Sequence, residues 1–264
     1  MAIKFNDNVW VWGHPTGSMF KARGASETTP VQGVSYMNAS GLMYNNFGEE
    51  KFDLVVDNEL SKDVKKVGWC IEDGASRNPE MITAICDKAK EYPNIKMGMF
   101  DDFFSLTNPT NNFTQYPIEL MEKIKEELHA AGLEMWVVIY TENFRLVPIE
   151  TIRPYLKLFD GVSLWFWSES EILEKYDECV DMFMKETEGQ KRMLGLYVYN
   201  FGERKEATIE AIKAQLENAK AKMKSGEFEG LFLHPTPAFD LKEPFEAEKF
   251  CKNWMAEHGD DIIG

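Results

Sequence analysis

The stretch Lys96-Met-Gly-Met-Phe-Asp-Asp-Phe-Phe104 is apolar from Met97 to Phe100, shows no polar alternation, and then stops on two adjacent carboxylates. A strand that is apolar on both faces belongs in a parallel sheet covered on both sides, where helices exclude water from each surface. Seven other segments repeat the pattern: Val9-Trp-Val-Trp-Gly-His14, Gly41-Leu-Met-Tyr-Asn-Asn46, Lys66-Val-Gly-Trp-Cys-Ile-Glu-Asp73, Glu134-Met-Trp-Val-Val-Ile-Tyr-Thr-Glu-Asn143, Gly161-Val-Ser-Leu-Trp-Phe-Trp-Ser-Glu169, Met193-Leu-Gly-Leu-Tyr-Val-Tyr-Asn-Phe-Gly-Glu203 and Gly230-Leu-Phe-Leu-His234. Helical stretches separate them. Thr29-Pro30 opens one, a polar stretch after Asn46 forms another, and Asn78-Pro79-Glu80 caps a third that runs to Lys90. Further helices are predicted over 117–131, where Gly132 ends the run, then over 149–158, up to Thr187, and over 207–224 and 244–257. Strand and helix alternating about eight times predict an α/β fold, a closed (β/α)8 TIM barrel forming a single domain over 1–264. An open doubly wound sheet would carry a GxGxxG turn after its first strand, and Gly13-His-Pro-Thr-Gly17 does not fit it.

The bulk numbers agree with one core. The chain has 264 residues, 44% of them hydrophobic, enough to bury one barrel interior and its helix layer. Its 44 acidic and 29 basic residues give a net charge of -15, which repels phosphate backbones and anionic lipid, so neither nucleic acid nor membrane is an expected partner. The acidic runs around 122–127 and 171–178 read as solvated helix faces. Cys70, Cys86, Cys179 and Cys251 form no CxxC pair and are expected to be buried free thiols. No apolar run reaches the roughly 18 to 20 residues of a membrane span. The first twenty residues lack a basic end followed by an apolar stretch, so a soluble protein is expected, cytoplasmic as the sequence stands and secreted or periplasmic if an export signal was removed.

In a barrel all parallel strands end at one face, so the residues closing each apolar run meet around one mouth. That rule nominates Trp12, His14, Asn45, Glu72, Tyr140, Trp167, Tyr199, Asn200 and His234 as substrate-binding residues, with Asp101, Asp102 and Glu142 as catalytic ones. Several have an ordinary structural reading as well. Asn45, Asn46 and Asn143 suit turns, Glu169 and Glu203 suit the first turn of a helix, and His14 and His234 each precede a proline. Asp101-Asp102 is the least ordinary feature. Neighbouring acids in partly apolar surroundings have their ionisation pushed apart, so one stays charged while the other keeps its proton. Glycosidic bond cleavage needs that division between a proton donor and a charge-stabilising anion. Aromatic rings beside amides and acids suit a sugar, whose C–H faces pack on rings while its hydroxyls pair with polar groups. The expected ligand is therefore a carbohydrate, an oligosaccharide or glycoside. Trp69, Trp136 and Trp165 lie further back in their strands and are expected to be core.

Met99-Phe-Asp-Asp-Phe103 resembles the tandem-aspartate motif at the fourth strand of glycoside hydrolase family 84, the barrel-type β-N-acetylglucosaminidases. The resemblance implies that Asp101 orients and polarises a substrate 2-acetamido group that acts as the nucleophile, and that Asp102 is the general acid/base. The Trp-rich segment Asp160-Gly-Val-Ser-Leu-Trp-Phe-Trp167 is similar in a broader way to the barrels of glycoside hydrolases. The large retaining clan expects Asn-Glu at the fourth strand and Glu at the seventh, where this chain has Asp101-Asp102 and Glu203. That departure leaves room for an inverting arrangement in which Glu142 or Glu72 activates water across a wider gap. Two other readings stand beside this one. A divalent-metal isomerase or aldolase would gather Glu72, Asp102, Glu142 and His234, although no HxH or HExxH supports it and the chain has 4 histidines. A noncatalytic carbohydrate-binding barrel would keep the aromatic cleft alone. The leading expectation requires no cofactor and no metal.

Overall fold

The computed structural model describes residues 2–14, 19–20, 24–25, 28–45, 63–73, 79–104, 114, 116–234 and 244–264. Eight parallel strands close the barrel: β1 (Val9–Gly13), β2 (Gly41–Tyr44), β3 (Lys66–Asp73), β4 (Ile95–Asp101), β5 (Glu134–Tyr140), β6 (Gly161–Trp165), β7 (Lys191–Tyr197) and β8 (Gly230–His234). They pair in chain order, and β1 hydrogen-bonds to both β2 and β8 to close the ring. The predicted TIM barrel is therefore the fold.

Around it run α1 (Pro30–Tyr36), α2 (Pro79–Glu91), α3 (Ile118–Ala130), α4 (Thr141–Leu146), α5 (Ile149–Leu156), α6 (Glu169–Glu186), α7 (Ile209–Lys224) and α8 (Glu246–His258). Their starts are written in the sequence. Thr29 accepts from the Gln32 N–H at 3.2 Å while the Gln32 side chain accepts from the Thr29 N–H at 2.8 Å, a reciprocal cap with Pro30 just inside. The helix predicted after Asn46 lies outside the described residues. One boundary is corrected: Thr141-Glu142-Asn143, read as the end of a strand, forms the first turn of α4. The cause is local, because the Asn143 side chain accepts the Tyr140 N–H at 2.7 Å and turns the chain there.

Alternation along each strand sorts side chains into two cores. Val9, Val11, Leu42, Tyr44, Trp69, Phe100, Leu194 and Leu196 face the helices. Trp10, Trp12, Met43, Met97, Met99, Trp136, Val138, Tyr140, Trp165, Met193 and Phe232 fill the barrel itself. Three tryptophans expected as core are core, but on different sides: Trp69 packs outward against Tyr44, at 4.6 Å between ring centroids, whereas Trp136 and Trp165 are interior. Glycines on the next strand make room for the interior indoles. A Cβ at Gly195 would lie 1.9 Å from Trp165, one at Gly161 2.2 Å from Trp136, and one at Gly41 2.3 Å from Trp10. The four cysteines are free thiols.

Candidate active site

Continuing the interior alternation by one step beyond the last packed residue of each strand leads to the mouth. From Trp10 and Trp12 it reaches His14; from Met43, Asn45; from Met97 and Met99, Asp101; from Trp136 and Val138, Tyr140. From Trp165 it reaches Trp167, from Met193 by way of Gly195 it reaches Tyr197, and from Phe232 His234. Hydrogen bonds and ring contacts join these residues into one cluster.

Two donors among the described residues hold Asp101. Asn45 Nδ2 donates to its Oδ2 at 3.0 Å, and the Asp102 N–H donates to its Oδ1 at 3.0 Å. Asp102 would point to the opposite side of the sheet if the strand continued, since consecutive strand residues diverge. Its φ of +48° is left-handed, a region where Asp is one of the few tolerated side chains, and it ends the alternation. The carboxylate thereby reaches the Tyr140 hydroxyl, which donates to Asp102 Oδ1 at 2.7 Å. Asp102 as a whole residue stands at the solvent edge, but protein crowds its carboxylate. Those immediate surroundings govern ionisation more than exposure averaged over the residue. Burial pushes the Asp102 pKa above the usual 3.8, against the lowering effect of the Tyr140 hydrogen bond. Burial and the neighbouring Asp102 also push the Tyr140 phenol well above its usual 10.0, so it remains a donor.

On the far side of the mouth, His14 Nδ1 lies 3.0 Å from the Asn45 carbonyl oxygen, and its Nε2 lies 3.3 Å from His234 Nε2. A carbonyl only accepts, so His14 carries its proton on Nδ1 and presents an Nε2 lone pair to the His234 Nε2–H. Burial first, then His234, holds the His14 pKa well below 6.5, consistent with a neutral pair. One donor sequence thus runs from His234 through His14 to the backbone carbonyl of Asn45, whose side chain anchors Asp101.

An aromatic wall stands beside the acids. Trp167 meets Tyr140 edge to face at 5.5 Å and stacks on Phe201 at 5.9 Å. Phe201 lies 4.8 Å from Tyr197 and 5.7 Å from His234, and Tyr197 lies 5.1 Å from His234. Neither Tyr197 nor Phe201 was nominated from the sequence. Counting in twos from Met193 would have selected Tyr197. Phe201 follows a change of direction that no periodicity reveals.

Several nominated residues are placed elsewhere. Trp12 is 2% exposed beneath Trp165, Phe232 and His234, so its ring is packed inside the barrel and offers no open face. Tyr199 begins a short hairpin, Tyr199–Asn200 against Lys205–Glu206, and packs on Phe201 and Phe245. Asn200 turns that hairpin, its Oδ1 accepting the Glu203 N–H at 3.0 Å. Glu142 sits in the first turn of α4 and pairs with Arg145 at 3.0 Å. Glu169 is buried in the first turn of α6, accepting the Thr208 N–H at 3.0 Å and its hydroxyl at 2.5 Å. Glu203 pairs with Lys205 at 2.6 Å. Glu169 follows the ordinary reading as a first-turn acid, whereas Glu203 lies in the turn of the hairpin, before α7 begins at Ile209. The Glu72 backbone lies in β3, where the register with β4 slips between Cys70 and Glu72, but its side chain lies outside the described residues.

Among the described residues no group of three or more His, Cys, Asp or Glu side chains could hold a metal ion, and no helix is long and apolar enough to cross a membrane. No family model matches the sequence, and no curated protein matches it. Solved structures do. The chain is similar to a mutant tryptophan synthase α-subunit from Pyrococcus furiosus, at 10% identity and a TM-score of 0.56 over 95% of this chain and 97% of that one. It is similar to the Group IV chitinase of Ostrinia furnacalis in complex with allosamidin, at 12% identity and a TM-score of 0.59 over 96% and 100%. It is also similar to a glycoside hydrolase family 17 β-1,3-glucanosyltransferase from Rhizomucor miehei, at 12% identity and a TM-score of 0.52 over 86% and 87%. At such identities the likeness is one of fold, and one barrel carries unlike chemistries.

Proposed function

We propose that this barrel is a glycosidase that cleaves the bond to a 2-acetamido sugar, with Asp102 as general acid/base and Asp101 orienting the acetamido group. The observation that carries the reading is the unequal setting of two adjacent acids. Asp101 accepts from Asn45 and from the Asp102 N–H, which favours its charged form. Asp102 is pushed toward its protonated form by burial.

A proton donor and an anion side by side match the needs of substrate assistance. Asp101 accepts the acetamido N–H and draws electron density toward the acetamido oxygen, which attacks the anomeric carbon. The leaving oxygen departs with the proton of Asp102. The cyclic intermediate is opened by water, whose proton returns to Asp102. Glu142 is paired with Arg145, which gives a second carboxylate across the ring little support. The aromatic wall of Trp167, Phe201 and Tyr197 supplies apolar faces for the sugar. The chitinase and the family 17 enzyme share the barrel, so glycoside chemistry is at home on this scaffold.

The test is turnover of an activated aryl 2-acetamido-2-deoxyglycoside. Asp101→Asn and Asp102→Asn are each expected to lower kcat/KM by about 100-fold or more, and the aryl glycoside lacking the acetamido group should be a poor substrate. Absence of turnover by the parent protein, or variants as active as the parent, overturns the proposal.

A further inference from the structure

Tyr197 is the side chain that the described cluster uses and that neither the sequence reading nor the acid pair accounts for. It ends β7, and its ring is wedged between Trp165 at 4.6 Å, Phe201 at 4.8 Å and His234 at 5.1 Å. Its hydroxyl donates to the Tyr140 oxygen at 3.4 Å. That is long for a hydroxyl pair, whose usual separation is about 2.7 to 2.8 Å, so the contact orients more than it binds. Tyr140 has a single hydroxyl proton, and it is given to Asp102 Oδ1 at 2.7 Å.

We propose that Tyr197 is a positioning residue for Asp102: by donating to Tyr140 it holds the Tyr140 hydroxyl as a donor toward Oδ1, so the proton that Asp102 delivers is carried on Oδ2. The inference rests on the reading of Asp102 as the general acid. A phenol flanked by an acid can face it as donor or as acceptor. If Tyr140 accepted, the protonated carboxyl would spend its hydrogen on Tyr140 Oη and present a bare oxygen to the leaving group. Tyr197 supplies a hydrogen to the lone-pair side of Tyr140 and disfavours that arrangement. The same donation polarises the Tyr140 hydroxyl and strengthens its bond to Asp102. The ionisable groups of the described mouth are Asp101 and Asp102 at the end of β4, Tyr140 on β5, Tyr197 on β7, His14 after β1 and His234 on β8. The Glu72 and Asp73 side chains at the end of β3 lie outside the described residues.

The experiment follows the Asp102 carboxyl directly, by carbon NMR of aspartate-labelled protein across pH, with the resonance identified through Asp102→Asn. Tyr197→Phe keeps the ring and removes the hydroxyl that donates to Tyr140. Tyr140 is then free to accept, which favours the neutral acid, so the Asp102 titration should move up by about half a pH unit or more. Tyr140→Phe should move it up at least as far. Adding Tyr197→Phe to Tyr140→Phe should do nothing further, because in this proposal Tyr197 acts through Tyr140. In a glycosidase assay the alkaline limb of kcat/KM should shift by the same amount with KM little changed. An unmoved Asp102 titration in Tyr197→Phe, or an equal shift in the Tyr140→Phe background, overturns the inference. Titrations that behave as expected in a protein without glycosidase activity would sink the proposed function and leave the positioning role standing.

Discussion

Replacing Gly195 by alanine puts one methyl group where the Trp165 indole already lies. An ideal Cβ at that position falls 1.9 Å from Cδ2, 2.0 Å from Cε2 and 2.4 Å from Cε3 of the ring. Ordinary contact begins at 3.4 Å, so the indole would have to retreat by about 1.5 Å. It has nowhere to go. Trp12 meets it edge-on at 5.3 Å, Tyr197 covers it at 4.6 Å, Phe232 stacks at 6.3 Å, and its N–H donates to Ser163 Oγ at 3.0 Å. Overpacking a filled core costs about 1 to 3 kcal/mol, and breaking the buried indole bond adds about 1 kcal/mol, so a loss of roughly 2 to 4 kcal/mol is expected. Gly226→Ala is the control. Its φ is +78° with nothing within 4 Å, so an added methyl pays only the left-handed backbone cost of about 1 to 2 kcal/mol. Urea unfolding followed by tryptophan fluorescence and circular dichroism measures both variants. Because Trp165 also supports Tyr197 and His234, Gly195→Ala should disturb the mouth as well as the core. A Gly195→Ala protein no less stable than Gly226→Ala would refute the claim that the barrel interior is set by indole-on-glycine packing.

Acid should weaken the fold through His14. Its folded pKa lies below the usual 6.5, so the unfolded chain binds the proton more tightly; the stabilisation is complete above 6.5 and is lost as pH falls below it. The urea midpoint should therefore drop between pH 7.5 and 5.5, and drop less in His14→Gln; an equal pH dependence in the two proteins would count against the neutral histidine pair. Thr208→Val removes the cap of α7 and the hydroxyl that donates to buried Glu169, leaving the backbone N–H in place, with an expected cost of about 2 kcal/mol. Thermal unfolding should register that loss while activity at a permissive temperature changes little, since Glu169 serves structure on this reading.

Much of the fold was legible because it depends on pattern. Eight apolar strands bounded by caps and glycines leave few ways to bury both faces, and the closed parallel barrel follows from that. What misled was the behaviour at the strand ends. Thr141 to Asn143 follow the apolar run of β5 directly in the sequence and read as its end, yet the Asn143 side chain captures the Tyr140 N–H and starts a helix. Tyr199 reads in the sequence as a mouth residue closing β7, yet the interior alternation ends at Tyr197 and the next residues fold into a hairpin. Trp12 was placed at the rim because it closes an apolar run, but one more step along the same face, to His14, was needed to reach the mouth.

The acid pair shows the limit of pattern most sharply. Alternation alone would send Asp101 and Asp102 to opposite faces of the sheet, so two consecutive acids at a strand end would be as compatible with one functional and one decorative carboxylate as with a pair. What joins them is the sign of one dihedral angle, the left-handed φ at Asp102. Aspartate tolerates that conformation better than most residues, so the sequence permits the turn without announcing it. The same angle governs which substitutions are informative. Asparagine keeps both the tolerance and the size, so Asp102→Asn removes the charge and the acidic proton while keeping the backbone turn. Alanine adds backbone strain of about 1 to 2 kcal/mol and could release the carbonyl end of β4, confusing lost chemistry with lost geometry.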